Sequence, residues 1–120
     1  MLRTFGLAVP FVAAMLFLVL AGPGSAAPKK LAGTVGPGFT INLKLSGASV
    51  AKLRAGQYRL VVSDRSSIHD FHLTGPGVNK VVTSVPYTGT KAVLLGLKKG
   101  VYTFVCDPHA SVMHGSFRVG

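Results

Sequence analysis

The sequence predicts an all-β fold, a seven- to eight-stranded β-sandwich with Greek-key connections, and two observations carry that prediction. Apolar residues recur at every second position over short runs. Each run then ends in a cluster of Gly, Pro, Asp, Ser or Lys before a helical period can establish itself. With 120 residues, one cysteine and no tryptophan, the chain holds at most one small domain and no internal disulfide framework. A first strand is expected over 31–35. Phe39, Ile41, Leu43 and Leu45 alternate with Thr40, Asn42 and Lys44, predicting a half-buried strand entered from Gly36-Pro37-Gly38. Residues 48–53 form the only stretch suited to a helical turn. After Gly56, Tyr58, Leu60 and Val62 share one face of the next strand. Further runs over 68–74, 78–85, 91–97, 101–106 and 116–119 complete the set. Their separators are Asp64-Arg65-Ser66-Ser67, Gly75-Pro76-Gly77, Pro86-Tyr87-Thr88-Gly89 and Lys98-Lys99-Gly100.

Residues 1–26 are set apart from that domain. Arg3 precedes an apolar stretch over 7–21, and the small residues Gly22-Pro23-Gly24-Ser25-Ala26-Ala27 follow it. This is the pattern of an export signal cut after Ala26, with an uncleaved N-terminal anchor as the alternative. Residues 27–120 are the working domain, and an exported location, periplasmic or extracellular, is expected for it.

The chain carries 13 Lys and Arg against 3 acidic residues, all aspartates, for a net charge of +10, which becomes +9 when Arg3 leaves with the signal. Such a balance favours acidic protein partners or an anionic membrane surface. The basic residues are scattered without a run of five, and together with export this argues against nucleic acid.

Chemistry concentrates in Val105-Cys106-Asp107-Pro108-His109-Ala110-Ser111-Val112-Met113-His114-Gly115. Cys106 is the only cysteine of the chain and Met113 the only methionine beyond residue 15. A domain that uses neither type as core filler, yet sets one of each around a histidine, uses them as ligands. Thiolate, imidazole and thioether together suit copper, and two His, one Cys and an axial Met make a one-electron site. Zinc is the competing metal, but methionine is a poor zinc ligand. The fourth ligand comes from Ile68-His69-Asp70-Phe71-His72-Leu73. In an extended strand His69 shares a face with Phe71 and Leu73, whereas His72 shares one with Asp70, so His69 is the choice and His72 the alternative. His114 is expected as an exposed residue on the lip of the site.

With Tyr102-Thr103-Phe104-Val105-Cys106-Asp107-Pro108-His109, Met113 and Gly115 in view, the sequence resembles the cupredoxins, and among them the small blue-copper proteins of the plastocyanin, amicyanin and pseudoazurin type. The likeness runs from about Phe39 to Val119. It implies an eight-stranded sandwich with one type 1 copper at one end, cycling between Cu(I) and Cu(II) and shuttling electrons between larger redox proteins. Carried onto this chain, it makes His69, Cys106, His109 and Met113 the metal ligands. Two positions depart from the family. The residue after the first ligand, usually Asn, is Asp70, and its partner after the cysteine is Asp107, so two carboxylates would meet beside the thiolate and share a proton or turn apart. The Cys-x2-His-x3-Met spacing also differs by one residue from the commonest loops.

The resulting expectation is an electron carrier rather than an enzyme: a monomer that docks transiently on an acidic redox protein, with electron exchange that slows as salt rises. The rival reading is a copper-handling protein with no electron-transfer role. A single methionine in the domain argues against a methionine-rich copper store, and the lack of a second histidine cluster argues against a multicopper enzyme.

Overall fold

The computed structural model describes residues 27–120 together with the isolated Gly6; the expected export signal lies outside the described residues. Among the described residues, ten strands form two five-stranded sheets. They are β1 (Lys29–Val35), β2 (Ile41–Leu45), β3 (Ala48–Ser49), β4 (Lys52–Leu53), β5 (Gly56–Asp64), β6 (Phe71–Gly75), β7 (Val78–Thr83), β8 (Gly89–Leu97), β9 (Gly100–Val105) and β10 (His114–Val119). One sheet runs β3-β2-β1-β5-β8 and the other β4-β10-β9-β6-β7. No helix among the described residues is long and apolar enough to cross a membrane.

Alternation builds the core as expected. Tyr58, Leu60 and Val62 of β5 all face inward, opposite Phe71 and Leu73 of β6 and Tyr102 and Phe104 of β9. Phe71 stacks on Phe104 at 5.9 Å between centroids, and Tyr102 stacks on Phe117 at 5.4 Å. The Tyr102 hydroxyl is satisfied within the fold, donating to the Pro76 carbonyl at 2.8 Å and accepting from the Lys98 N–H at 2.9 Å.

Three local expectations are corrected. Residues 48–53 make no helical turn. Ser46 and Gly47 both take positive φ, 50° and 81°, and turn the chain straight back, so that Ala48 and Ser49 pair with Leu45 and Lys44. Lys52 and Leu53 then pair in parallel with β10 in the other sheet, giving the short strands β3 and β4 and a count of ten. Secondly, the alternating pattern reads as an antiparallel sandwich, yet the sheets are not purely antiparallel, because β1 also lies parallel to β5. Thirdly, Phe39 is not part of a strand. The Gly36 N–H donates to the Thr40 carbonyl at 2.8 Å and closes a loop, with Gly36 and Gly38 at φ 68° and 73°, which leaves Phe39 59% exposed.

This topology gathers three loops at one end of the sandwich: 36–40 between β1 and β2, 65–70 between β5 and β6, and 106–113 between β9 and β10. The Arg65 N–H donates to the Val35 carbonyl at 2.9 Å and ties the first loop to the second.

Candidate metal centre

His69 lies just outside β6, at the end of the crossover from β5, and is 1% exposed. Its Nε2 stands 2.7 Å from the Gly38 carbonyl oxygen. A carbonyl only accepts, so Nε2 carries the proton and Nδ1 is left with a free lone pair. That lone pair faces His109 Nδ1 at 3.1 Å and Cys106 Sγ at 3.6 Å. Cys106 Sγ is also 3.6 Å from His109 Nδ1. The three donor atoms therefore converge on one point, all within 4.8 Å of one another.

The ligand loop is closed by its own backbone. The Cys106 N–H donates to the Met113 carbonyl at 3.0 Å, and the N–H groups of His109 and Met113 donate to the carbonyls of Cys106 and His109 at 3.0 and 2.9 Å. A single 3-10 turn over Asp107–His109, with Pro108 in it, folds the loop so that His109 returns towards Cys106. Met113 and Cys106 are fully buried in one apolar cluster, while His109 is half-buried. Gly115 follows as a close approach, since a Cβ there would enter the Phe104 ring.

The donor set fits a soft or borderline cation. Bonds of about 2.0 Å to nitrogen and 2.3 Å to sulfur would reach all three atoms from one point at the observed separations. Burial pushes the Cys106 thiol up from its ordinary range, and a bound cation would reverse that by favouring the thiolate.

His72 does not join the cluster. It projects from β6 onto the outer side of the sheet, placing Nδ1 2.9 and 3.0 Å from the two Asp107 carboxylate oxygens and Nε2 2.6 Å from Asn79 Oδ1. Both ring nitrogens donate to acceptors, which favours the imidazolium. Its pKa is raised accordingly, first by Asn79 and then by Asp107, against the opposing effect of burial. Asp70 is 5% exposed, and its Oδ1 accepts from the Asp107 N–H at 2.6 Å. Burial, and then the side-chain hydrogen bond to Asp107, push Asp70 up to about 6; Asp107 is held below the usual carboxylate range by that same bond and by His72. The pKa values of the two carboxyls are thus pushed apart in opposite directions, and below about pH 6 the proton is favoured on Asp70. His114 is exposed, with Nδ1 2.8 Å from the Ala110 carbonyl.

Two contacts are not legible in the sequence. Gly36-Pro37-Gly38 reads as a turn, yet Gly38 supplies the carbonyl that fixes the His69 tautomer. Phe39, expected as a strand residue, stands edge-on to both imidazoles, 5.5 Å from His69 and 4.9 Å from His109 between centroids. A sequence carries no signal for either, because both depend on how the loop over 36–40 meets a crossover 31 residues further along the chain.

No protein-family model and no curated protein sequence matches the chain. Solved structures do. The copper protein rusticyanin superposes with a TM-score of 0.56 at 18% identity, over 78% of this chain and 80% of that one. Rusticyanin from Thiobacillus ferrooxidans gives 0.53 at 20% identity, over 80% and 79%. A chain of a heme-copper terminal oxidase dimer gives 0.54 at 21% identity over 76% of this chain, which spans 63% of that longer chain. The class is thus a cupredoxin fold. Within it, His69, Cys106 and His109 bring together the imidazole and thiolate donors of a type 1 copper-like site, and Met113 is buried in the same apolar cluster as Cys106.

Proposed function

We propose that this protein is a one-electron carrier with a resident copper ion held by His69 Nδ1, Cys106 Sγ, His109 Nδ1 and the Met113 thioether. The observation that carries the reading is the convergence of two imidazole nitrogens and a buried thiol, with the His69 lone pair aimed inward by the Gly38 carbonyl. Copper bound there supplies the Cu(II)/Cu(I) couple.

The chain's own residues set how that couple runs. The two-sheet frame and the loop's backbone hydrogen bonds hold the donors at fixed separations, which keeps reorganisation small. Burial of Cys106 and Met113 excludes water. The Asp107 N–H, engaged by Asp70, anchors the residue next to the thiolate. His109, half-buried, brings the site to the surface, where exposed Phe39, Ile68 and Val112 lie in the three converging loops and offer an apolar rim for brief docking. Electron exchange with a redox protein of the cell envelope, in an exported location, is the role this reading assigns. The closed, buried position of Cys106 favours a resident ion over the exchangeable site of a copper-handling protein.

The test is Cu(II) titration of the purified protein beside Cys106→Ala, read by visible absorption and EPR. An intense blue band with narrow copper hyperfine splitting, absent in the variant, is expected. Weak colour with tight Cu(I) binding would instead assign copper handling, and binding independent of Cys106 would remove the proposal.

A further inference from the structure

Scattered in sequence, the charges are sorted in space. All three acidic residues lie at the metal end: Asp64 closes β5, and Asp70 and Asp107 flank the ligands. Lys29, Lys30, Lys44, Arg54, Lys98 and Lys99 instead lie at the opposite end, where β1 and β5 begin and β2 and β8 finish. All six are exposed. Lys29, Lys30 and Lys44 line one shallow groove with Ser46 and Gly47, and Lys29 also borders a second with Arg54 and Gln57, so these four cations share one surface with no acidic side chain in it, while Lys98 and Lys99 stand on the turn after β8 at the same end.

The distance between the ends decides what this surface can do. The nine residues of β5 run from one end to the other and span roughly 26 Å at about 3.3 Å per residue. That is about three Debye lengths at physiological ionic strength, so the cationic end is screened from the metal end. A partner captured there sits too far from the ligands for efficient exchange, and the cations therefore serve a purpose other than docking at the metal.

We infer that the cationic end is a docking surface for an anionic phospholipid bilayer, which it grips through lysine contacts to headgroup phosphates while the metal end faces away. The occupant is argued from the chain itself. The described body begins at Ala27, next to Lys29 and Lys30, so the apolar stretch over 7–21 joins the domain at this end. Any tether formed by that stretch brings the same face to the membrane. The inference does not depend on the metal assignment.

The test uses the full chain and vesicles of phosphatidylcholine, with or without roughly 30% phosphatidylglycerol and matched in size, followed by sedimentation. The readout is the ratio of partition onto anionic and neutral vesicles, which cancels apolar insertion. One lysine near an anionic surface is worth about fivefold in partition. Lys29→Glu with Lys30→Glu should therefore lower the ratio by roughly 25-fold or more, and Lys98→Glu with Lys99→Glu, on another turn at the same end, should lower it comparably. Arg65→Glu with Lys91→Glu makes the same change in net charge near the metal end and should lower it less than about twofold. Equal losses in all three variants would reduce the effect to net charge and overturn the inference. So would a wild-type ratio near one, or end-specific binding to soluble polyphosphate without end-specific binding to vesicles.

Discussion

Replacing Asp70 by asparagine isolates one proton. In the metal-free protein Asp70 has its pKa raised from 3.8 to about 6, so between those values the folded state holds a proton that the unfolded chain has released. Stability from a raised carboxyl is fully present below its unfolded pKa and is lost as pH rises through the folded one. The slope is at most about 1.4 kcal/mol per pH unit, with the sign that stability falls from pH 4 towards pH 6. The amide of the Asp70→Asn variant retains an oxygen to accept the Asp107 N–H and removes the titration. Asp107, with a depressed pKa, acts in the opposite sense and at lower pH, and His72, raised from 6.5, continues the decline above that value, so neither distorts the window. The assay is urea unfolding of the metal-free protein at half-unit steps. With m near 1–3 kcal/mol/M, a full unit of pH moves the wild-type midpoint down by about 0.5–1.4 M, while Asp70→Asn stays level between pH 4 and 6. Equal slopes in the two proteins, or a wild-type midpoint that rises across the window, would refute the proton on Asp70.

Further expectations follow from packing. Tyr102→Phe leaves the Pro76 carbonyl and the Lys98 N–H without their partner, and should cost about 1–3 kcal/mol in equilibrium unfolding with little change in any copper spectrum. Gly115→Ala forces a Cβ into the Phe104 ring and should cost about 1–3 kcal/mol, measured in the same way. Phe39→Ala removes two edge contacts from the imidazoles, worth about 0.5–1.5 kcal/mol each at most, and should speed copper loss to a chelator in stopped flow; an unchanged rate would show that Phe39 does not shield the site.

Period two makes the sandwich readable. In β5 the alternation of Tyr58, Leu60 and Val62 with polar neighbours leaves one way to bury the strand, and the structure buries it that way. Parity groups His69 with Phe71 and Leu73, and all three are buried although the strand begins only at Phe71. At residues 39 and 48–53 the local pattern misleads, because positive φ at Gly38, Ser46 and Gly47 overrides it, and a turn's hand is not written in hydropathy. The donor loop is legible through rare residue types. Its supports are not, since the Gly38 carbonyl is backbone and Asn79 reaches His72 only through the hairpin of β6 and β7. Charge in a sequence is a sum, whereas its meaning lies in which strand end each lysine occupies.

That sorting gives the molecule a permanent electrical polarity along its long axis, and an electrode would feel it. On a carboxylate-terminated monolayer the protein should adsorb by its lysine end, leaving the proposed copper centre about 26 Å from the conductor by the length of β5 and its voltammetric wave weak or missing. On a methyl-terminated monolayer, contact falls to Phe39, Ile68 and Val112, and the same protein lies with its imidazole edge against the surface. Two coatings of equal thickness should thus give opposite answers about whether the protein is electroactive, with orientation as the only variable between them.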